Sequence, residues 1–179
     1  MIPIHVMPEM PTQTFLDVLQ QQGFAGEIDT SAAQRAVYAT DNSIYERPPQ
    51  AIVCPKHVAD LQVLTRLLAE ERFRGVVVTA RGGGTGTNGQ SLTEGIVVDV
   101  SRHMNHILSI DVAKRQVRVQ AGVVKDQLNR ALKPHGLFFA PELSTSNRAT
   151  IGGMVNTDAS GQGSCTYGKT RDHVLALKT

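Results

Sequence analysis

The chain has 179 residues, enough for one sizeable core or two small lobes. With 41% hydrophobic and 19% charged residues it has a globular composition, unusual only in its 16 glycines. A net charge of +2 without a Lys/Arg cluster gives nucleic acid no electrostatic footprint, and no apolar run approaches the ~18 residues of a membrane-spanning helix. Residues 1–11 lack the basic and apolar regions of a signal peptide. Cys54 and Cys165 stand at no pairing or metal spacing, so both are expected as buried thiols in a reducing, cytoplasmic compartment.

In chain order, residues 12–22 predict a short amphipathic helix, with Phe15, Leu16 and Leu19 apolar and Gly23 as its C-terminal stop. Residues 23–50 read as irregular, and the tract Asp41-Asn42-Ser43-Ile44-Tyr45 with Pro48-Pro49 reads as an ordered linker anchored by Tyr38 and Tyr45. Ala51-Ile52-Val53-Cys54 is a strand stopped by Pro55. Residues 57–72 form a helix with Val58, Leu61, Leu64 and Leu68 on one face. Strands follow at 76–80 and 96–100, separated by a Gly-rich loop. The second half predicts strands at 107–111 and 116–120, a helix over 125–133 with Leu128 and Leu132 inward, and a short helix over 154–159. Residues 172–179 read as a strand just starting, with no closing turn, as in a piece of a longer protein. The division expected is an N-terminal helix and linker over 1–50, a first α+β lobe over 51–111 and an incomplete second lobe over 112–179.

The loop between the strands reads Arg81-Gly82-Gly83-Gly84-Thr85-Gly86-Thr87-Asn88-Gly89. Glycine reaches φ > 0 without penalty and lets backbone approach a ligand, and successive free N–H groups form a nest for phosphate oxygens. A P-loop is excluded because no Lys follows the glycines. Gly84-x-Gly86-x-x-Gly89 satisfies the Rossmann pattern on paper, yet residues 90–95 leave no room for a crossover helix. A ligand-free hairpin loop is the plain alternative. A second segment, Ser144-Thr145-Ser146-Asn147-Arg148-Ala149-Thr150-Ile151-Gly152-Gly153, is dense in hydroxyls, and Thr150 stands where a helix N-cap would present free amides to phosphate. Two such segments some sixty residues apart suggest one extended ligand held between two lobes.

As an ordered set these segments resemble the FAD-binding domain of the vanillyl-alcohol-oxidase/p-cresol-methylhydroxylase superfamily. The matching elements are Pro55-Lys56, Arg81-Gly82-Gly83-Gly84-Thr85, Val98-Asp99-Val100-Ser101 with Met104-Asn105, Ala121-Gly122-Val123, Thr150-Ile151-Gly152-Gly153, Ala159-Ser160-Gly161, Tyr167-Gly168 and Asp172-His173-Val174. The run Pro141-Glu142-Leu143-Ser144-Thr145-Ser146-Asn147-Arg148 looks most like the FAD-linked D-2-hydroxyglutarate and D-lactate dehydrogenases that also carry iron–sulfur clusters.

The resemblance implies a two-lobed α+β FAD-binding domain with its second lobe truncated. It implies oxidation of a small D-2-hydroxy acid by hydride transfer to flavin N5, with the substrate domain and the iron–sulfur clusters in a later part of the protein. Ala80, Arg81, Gly82, Gly83, Gly84, Thr85 and Gly86, with Thr87 and Asn88, would wrap the FAD pyrophosphate. Pro141, Ser144, Thr145 and Thr150 would line the pyrophosphate and flavin side, and Gly152 and Gly153 would let the cofactor pack on bare backbone. Thr157, Asp158, Ala159, Ser160 and Gly161 would continue along the ribityl and adenosine parts, and Val174 would meet the adenine by its backbone. No His stands in the Gly-rich loop, which implies non-covalent FAD. The alternatives are a non-catalytic nucleotide-binding module and an oxygen-using oxidase of the same flavin fold.

Other residues have plainer roles. Arg81 suits either a phosphate or a structural ion pair. Glu142 is expected to accept from loop amides, and Arg148 and Lys169 to form an exposed basic rim. His103 and His106 have an H-x-x-H spacing but no third ligand, and His173 reads as a satisfied structural histidine. No residue makes a convincing catalytic base, and no metal site is expected.

Overall fold

The computed structural model describes residues 11–178. The leader reading over residues 1–10 and the final residue of the expected strand 172–179 lie outside them. Helix α1 spans Pro11–Gln21, β1 Glu27–Asp29, α2 Ala32–Tyr38, β2 Ala51–Cys54, α3 Val58–Leu68, β3 Val78–Arg81 and β4 Ile96–Asp99. The four strands form one sheet in the order β1-β2-β4-β3, with β1 antiparallel and the other three parallel.

The central strands β2 and β4 are buried along their whole length. That is why their sequences are unbroken apolar runs rather than alternating ones. Strand pleating sends successive side chains to opposite faces. Ala51, Val53, Ile96 and Val98 meet Phe15, Leu16 and Leu19 of α1 and Leu64 and Leu67 of α3. Ile52, Cys54 and Val97 form a smaller cluster on the other face, against Tyr38 of α2. The expected helix 57–72 ends at Leu68 and continues as a 3-10 turn, Glu71–Phe73. Leu64 and Leu67 are buried and Leu61 and Leu68 pack partly buried beside them, whereas Val58 is 45% exposed.

Residues 23–50 are not irregular throughout. They supply the edge strand β1 and the helix α2, capped where the Ser31 side chain accepts from the Gln34 amide at 3.4 Å. A three-residue strand has no readable period, but the Ser31 cap before an alanine-rich run is a legible helix start.

In the second half, β5 (Ile107–Asp111) and β6 (Gln116–Val119) make an antiparallel pair. Helix α4 (Lys125–Leu132) packs Leu128 and Leu132 with Val123 against Ile107, Ile110, Val117 and Val119. The hairpin therefore straddles the expected boundary at 111/112, and α1 and β1 belong to the first core rather than to a separate N-terminal part. Two short helices follow, α5 (Ile151–Asn156) and α6 (Ser164–Tyr167), then a 3-10 turn over Thr170–His173. Residues 174–178 carry no strand. Cys54 is buried as expected, but Cys165 is exposed. No helix among the described residues is long and apolar enough to cross a membrane.

Candidate functional site

Strands β3 and β4 run parallel, so their carboxyl ends, Arg81 and Asp99, lie side by side in register. Ligands of open α/β sheets gather at that end. The connection over residues 82–95 carries no helix, as its length required, yet it returns the chain parallel and makes no hairpin. The reason is reach. Six extended residues span about 20 Å, while a four-residue strand needs only ~13 Å. Residues 90–95 thus carry the chain back down, leaving the glycines free at the top.

Among the described residues, no amide of residues 82–87 donates to a protein acceptor, and the first to do so is Asn88, to Gln90 Oε1 at 3.1 Å. The amides of residues 144–147 are also without protein acceptors. These two runs of free donors belong to segments that pack on each other. A Cβ at Gly82 would overlap Thr150 Oγ1, and one at Gly83 would overlap the Arg148 carbonyl. Arg148 Nη2 donates to the Gly83 carbonyl at 3.3 Å. Gly82 and Gly83 are therefore required for the close approach of the second segment, whatever they offer a ligand. A cleft of about 430 Å³ opens beside this junction, lined by Tyr38, Gly82, Gly83, Asn147, Arg148 and Thr150 among others. A cleft of about 480 Å³ lies at the opposite strand ends, by Gln50, Val77 and Gly95. It holds neither run of free amides, so the smaller cleft is the chemically equipped one.

The helix N-terminus at Thr150 departs from expectation. Thr150 does cap α5, its Oγ1 accepting from the Gly153 amide at 3.3 Å. The amides that follow are already committed, however: Ile151 to the Val123 carbonyl and Gly152 to that of Ala121, both at 2.8 Å. With these donors spent, the end of α5 is a junction with the second sheet and not an anion site. Gly152 likewise faces Ala121, whose Cβ would lie 2.8 Å from an added methyl, rather than open space. Replacing Thr150 with Ala is expected to cost ~1 kcal/mol through loss of the cap, while Ser at this position holds stability near wild type; thermal melts of the two variants check this.

Arg81 is bound to protein. Its Nη2 donates to the Thr40 carbonyl at 2.7 Å and its Nη1 to that of Tyr38 at 3.3 Å, with the guanidinium 5.2 Å over the Tyr38 ring. Burial lowers its pKa, opposed by the nearby Asp41, Tyr38 and Asp99. The Tyr38 hydroxyl donates to Asp99 Oδ2 at 2.5 Å, and Ser101 binds Asp99 Oδ1 through both its amide and hydroxyl at 2.7 Å. Burial and the Asp99 carboxylate push the Tyr38 hydroxyl well above the usual phenol range.

The remaining candidates form a second group. Thr170 donates to the Ala159 carbonyl through its hydroxyl at 2.7 Å and its amide at 3.1 Å. Gly161 packs against the Glu142 carbonyl. Asp158 adopts φ 46° and gives its carboxylate to Arg171, so that side chain is committed to protein. Pro141 is buried, while Ser144 and Thr157 are exposed and Thr145 and Val174 half-buried. No hydrogen bond joins the exposed Glu142 carboxylate to loop amides among the described residues. His173 donates its Nε2–H to the Tyr167 carbonyl at 2.8 Å, His103 pairs with Glu27 at 2.7 Å and His106 with Gln120. No cluster of metal-binding groups occurs among the described residues.

An α+β scaffold with two adjoining runs of free amides at the carboxyl ends of parallel strands defines a domain that binds a phosphate-bearing cofactor. Residues 49–179 match the family described as "FAD binding domain", and the chain belongs to that family. It is 67% identical over 172 residues to a D-2-hydroxyglutarate dehydrogenase of Pseudomonas putida, covering 96% of this chain and 17% of that protein. It is 61% identical to the protein of the same description from Escherichia coli, covering 92% of this chain and 16% of the relative. Identity to the glycolate oxidase subunit GlcD of Bacillus subtilis is 34%, over 94% of this chain and 36% of the relative. The chain thus spans about a sixth of the length of the first two relatives. Among solved structures, an alkyldihydroxyacetonephosphate synthase superposes with a TM-score of 0.78 at 22% identity, covering 94% of this chain and 36% of that one. The 6-hydroxy-D-nicotine oxidase of Arthrobacter nicotinovorans gives 0.70 at 24%, covering 84% of this chain and 32% of that one, a likeness of fold.

Proposed function

We propose that this chain is the FAD-binding portion of a dehydrogenase that oxidises a D-2-hydroxy acid, D-2-hydroxyglutarate in the first instance. The observation that carries the cofactor is the pair of free-amide runs, residues 82–87 and 144–147, held together by Gly82 and Gly83. A diphosphate is the ligand such a cradle suits. The hydroxyls of Thr85, Thr87, Ser144 and Thr145 are without protein partners among the described residues and add further donors. Bound FAD would supply the two-electron redox chemistry. The protein's part is to bind the pyrophosphate, to orient the ring system, and to place the 157–161 and 170–174 segments along the rest of the cofactor. Ala80, Gly84, Gly86 and Asn88 shape the loop, while Arg81 both lines the cleft and holds the Tyr38 and Thr40 carbonyls. Binding is non-covalent, since no His stands in the loop.

The substrate assignment rests on the descriptions of the relatives, and the groups that touch substrate would lie in the remainder of the protein. Iron–sulfur clusters in that remainder would take the electrons onward. Cys54 and Cys165, both free thiols, support a cytoplasmic location.

The test is the visible spectrum of the purified full-length protein. Bands near ~375 and ~450 nm are expected, bleached by D-2-hydroxyglutarate under argon and released into the supernatant by acid precipitation. A colourless protein that binds another nucleotide tightly would instead make it a non-catalytic nucleotide-binding module. The 179-residue chain alone is expected to bind FAD weakly and to show no turnover. Oxidation of D-2-hydroxyglutarate by it at the full-length rate would sink that expectation.

A further inference from the structure

The segment read as a linker touches the phosphate loop at several points. Residues 38–47 fold into a closed strap. The Arg47 amide donates to the Ala39 carbonyl at 2.8 Å, and Thr40 bridges Glu46. Within it, Asp41 Oδ1 accepts from the Ser43 amide at 2.8 Å. Its other oxygen, Oδ2, accepts from the Ser91 hydroxyl at 2.9 Å, on the return arm of the loop. The next residue, Asn42, donates its amide to the Gly84 carbonyl at 3.1 Å. The Tyr45 ring backs Gly89, where an added Cβ would come within 3.0 Å of it. Arg81 fastens the other end through the Tyr38 and Thr40 carbonyls.

These bonds have a common sense of direction. In a trans peptide unit the C=O and the following N–H point opposite ways. Pinning the Gly84 carbonyl to Asn42 therefore aims the Thr85 amide away from the strap. The Arg148 bond to the Gly83 carbonyl, made from the second segment, turns the Gly84 amide away from Arg148. The strap takes carbonyls and side chains of the loop and none of its free amides. A Gly-rich loop left to itself samples many conformers, and ordering it on binding costs affinity. Here the ordering is built in beforehand.

We propose that the strap of residues 38–47 is the positioning element of the phosphate loop, with Asp41 and Arg81 as its fastening residues, and that Asp41, which does not line the cleft, sets the affinity for a pyrophosphate-bearing ligand through the shape of the loop. This rests on the FAD reading above. Asp41 is a positioning residue: its carboxylate holds Ser43 and Ser91, and so places Asn42 against Gly84.

The experiment is FAD titration of the full-length apoprotein, followed by flavin fluorescence quenching, for wild type, Asp41→Ala, Asp41→Asn and Ser91→Ala. Asp41→Ala is expected to raise the Kd by roughly tenfold, as loss of hydrogen bonds to a charged group would. Asp41→Asn keeps an acceptor for the Ser43 amide and presents an NH2 to Ser91 Oγ, so it restores most of the affinity. Ser91→Ala, which removes one of the two anchoring bonds, is expected to give about a threefold loss, and it decides the matter if Asp41→Ala does not fold. FAD binding by Asp41→Ala and Ser91→Ala within twofold of wild type overturns the proposal while leaving the FAD reading intact. An asparagine variant no better than the alanine one overturns the hydrogen-bond role of Asp41. A wild-type protein that takes up no FAD overturns the FAD reading and the strap with it.

Discussion

Gly83→Ala in the full-length protein is expected to abolish most FAD binding. The added methyl would fall on the Arg148 carbonyl, a backbone atom that cannot swing aside as a side chain can. Relief requires the 148–150 segment to withdraw, which opens the junction between the two free-amide runs and breaks the Arg148 bond to the loop. Overpacking of this kind costs about 1–3 kcal/mol, and the same displacement separates the two halves of the cradle. Gly84→Ala is the contrast. There the methyl meets the Arg81 guanidinium at 2.7 Å, a side-chain end, and the main cost is the left-handed backbone at φ 62°, about 1–2 kcal/mol. Gly83 is thus expected to dominate in FAD titrations, with a Kd raised on the order of tenfold or more. A Gly83→Ala protein that binds FAD like wild type would refute the account of the junction.

Asp60→Ala is expected to be the most destabilising single substitution in the first sheet's surroundings. Asp60 is 2% exposed and accepts from the Ala25 amide at 2.8 Å, the Lys56 amide at 2.8 Å and the His57 amide at 2.9 Å. It ties the turn after β2 and the start of α3 to the chain leaving α1. Removing the carboxylate strands these donors, at about 1–3 kcal/mol for each one left unsatisfied, so a loss of ~3 kcal/mol or more is expected in urea unfolding. Burial raises the Asp60 pKa, but the three backbone hydrogen bonds outweigh it and hold the carboxyl below its ordinary value. A depressed folded-state pKa makes the contribution complete above the unfolded-chain value near ~3.9. It is lost as pH falls through the folded value. Wild type is therefore expected to lose stability steeply below about pH 4, and Asp60→Asn to lose part of that dependence.

Much of the proposed cradle was legible. The glycines and hydroxyls of 81–89 and 144–153 marked it because close backbone approach and free amides need those residue types. The buried strands announced themselves as Ala51-Ile52-Val53-Cys54 and Ile96-Val97-Val98, since a strand covered on both faces has no polar side. The roles of individual residues were less accessible. Gly82 and Gly83 were read as ligand contacts, and they also serve loop-to-loop packing; Arg81, read as suited either to a phosphate or to a structural ion pair, holds the strap through backbone carbonyls. Local pattern gives no sign of a partner some forty residues away, which is the separation from Arg81 to Thr40.

By itself, then, the sequence determined an α+β scaffold with two Gly/hydroxyl segments, the proposed cradle of a phosphate-bearing cofactor, because those requirements are written in residue type and spacing. The tertiary structure decided which amides remain free. Those of α5 are consumed by the carbonyls of Ala121 and Val123, while those of residues 82–87 are spared. A hydrogen bond depends on where its acceptor arrives in space, and that position is fixed only when both sheets and the strap have packed.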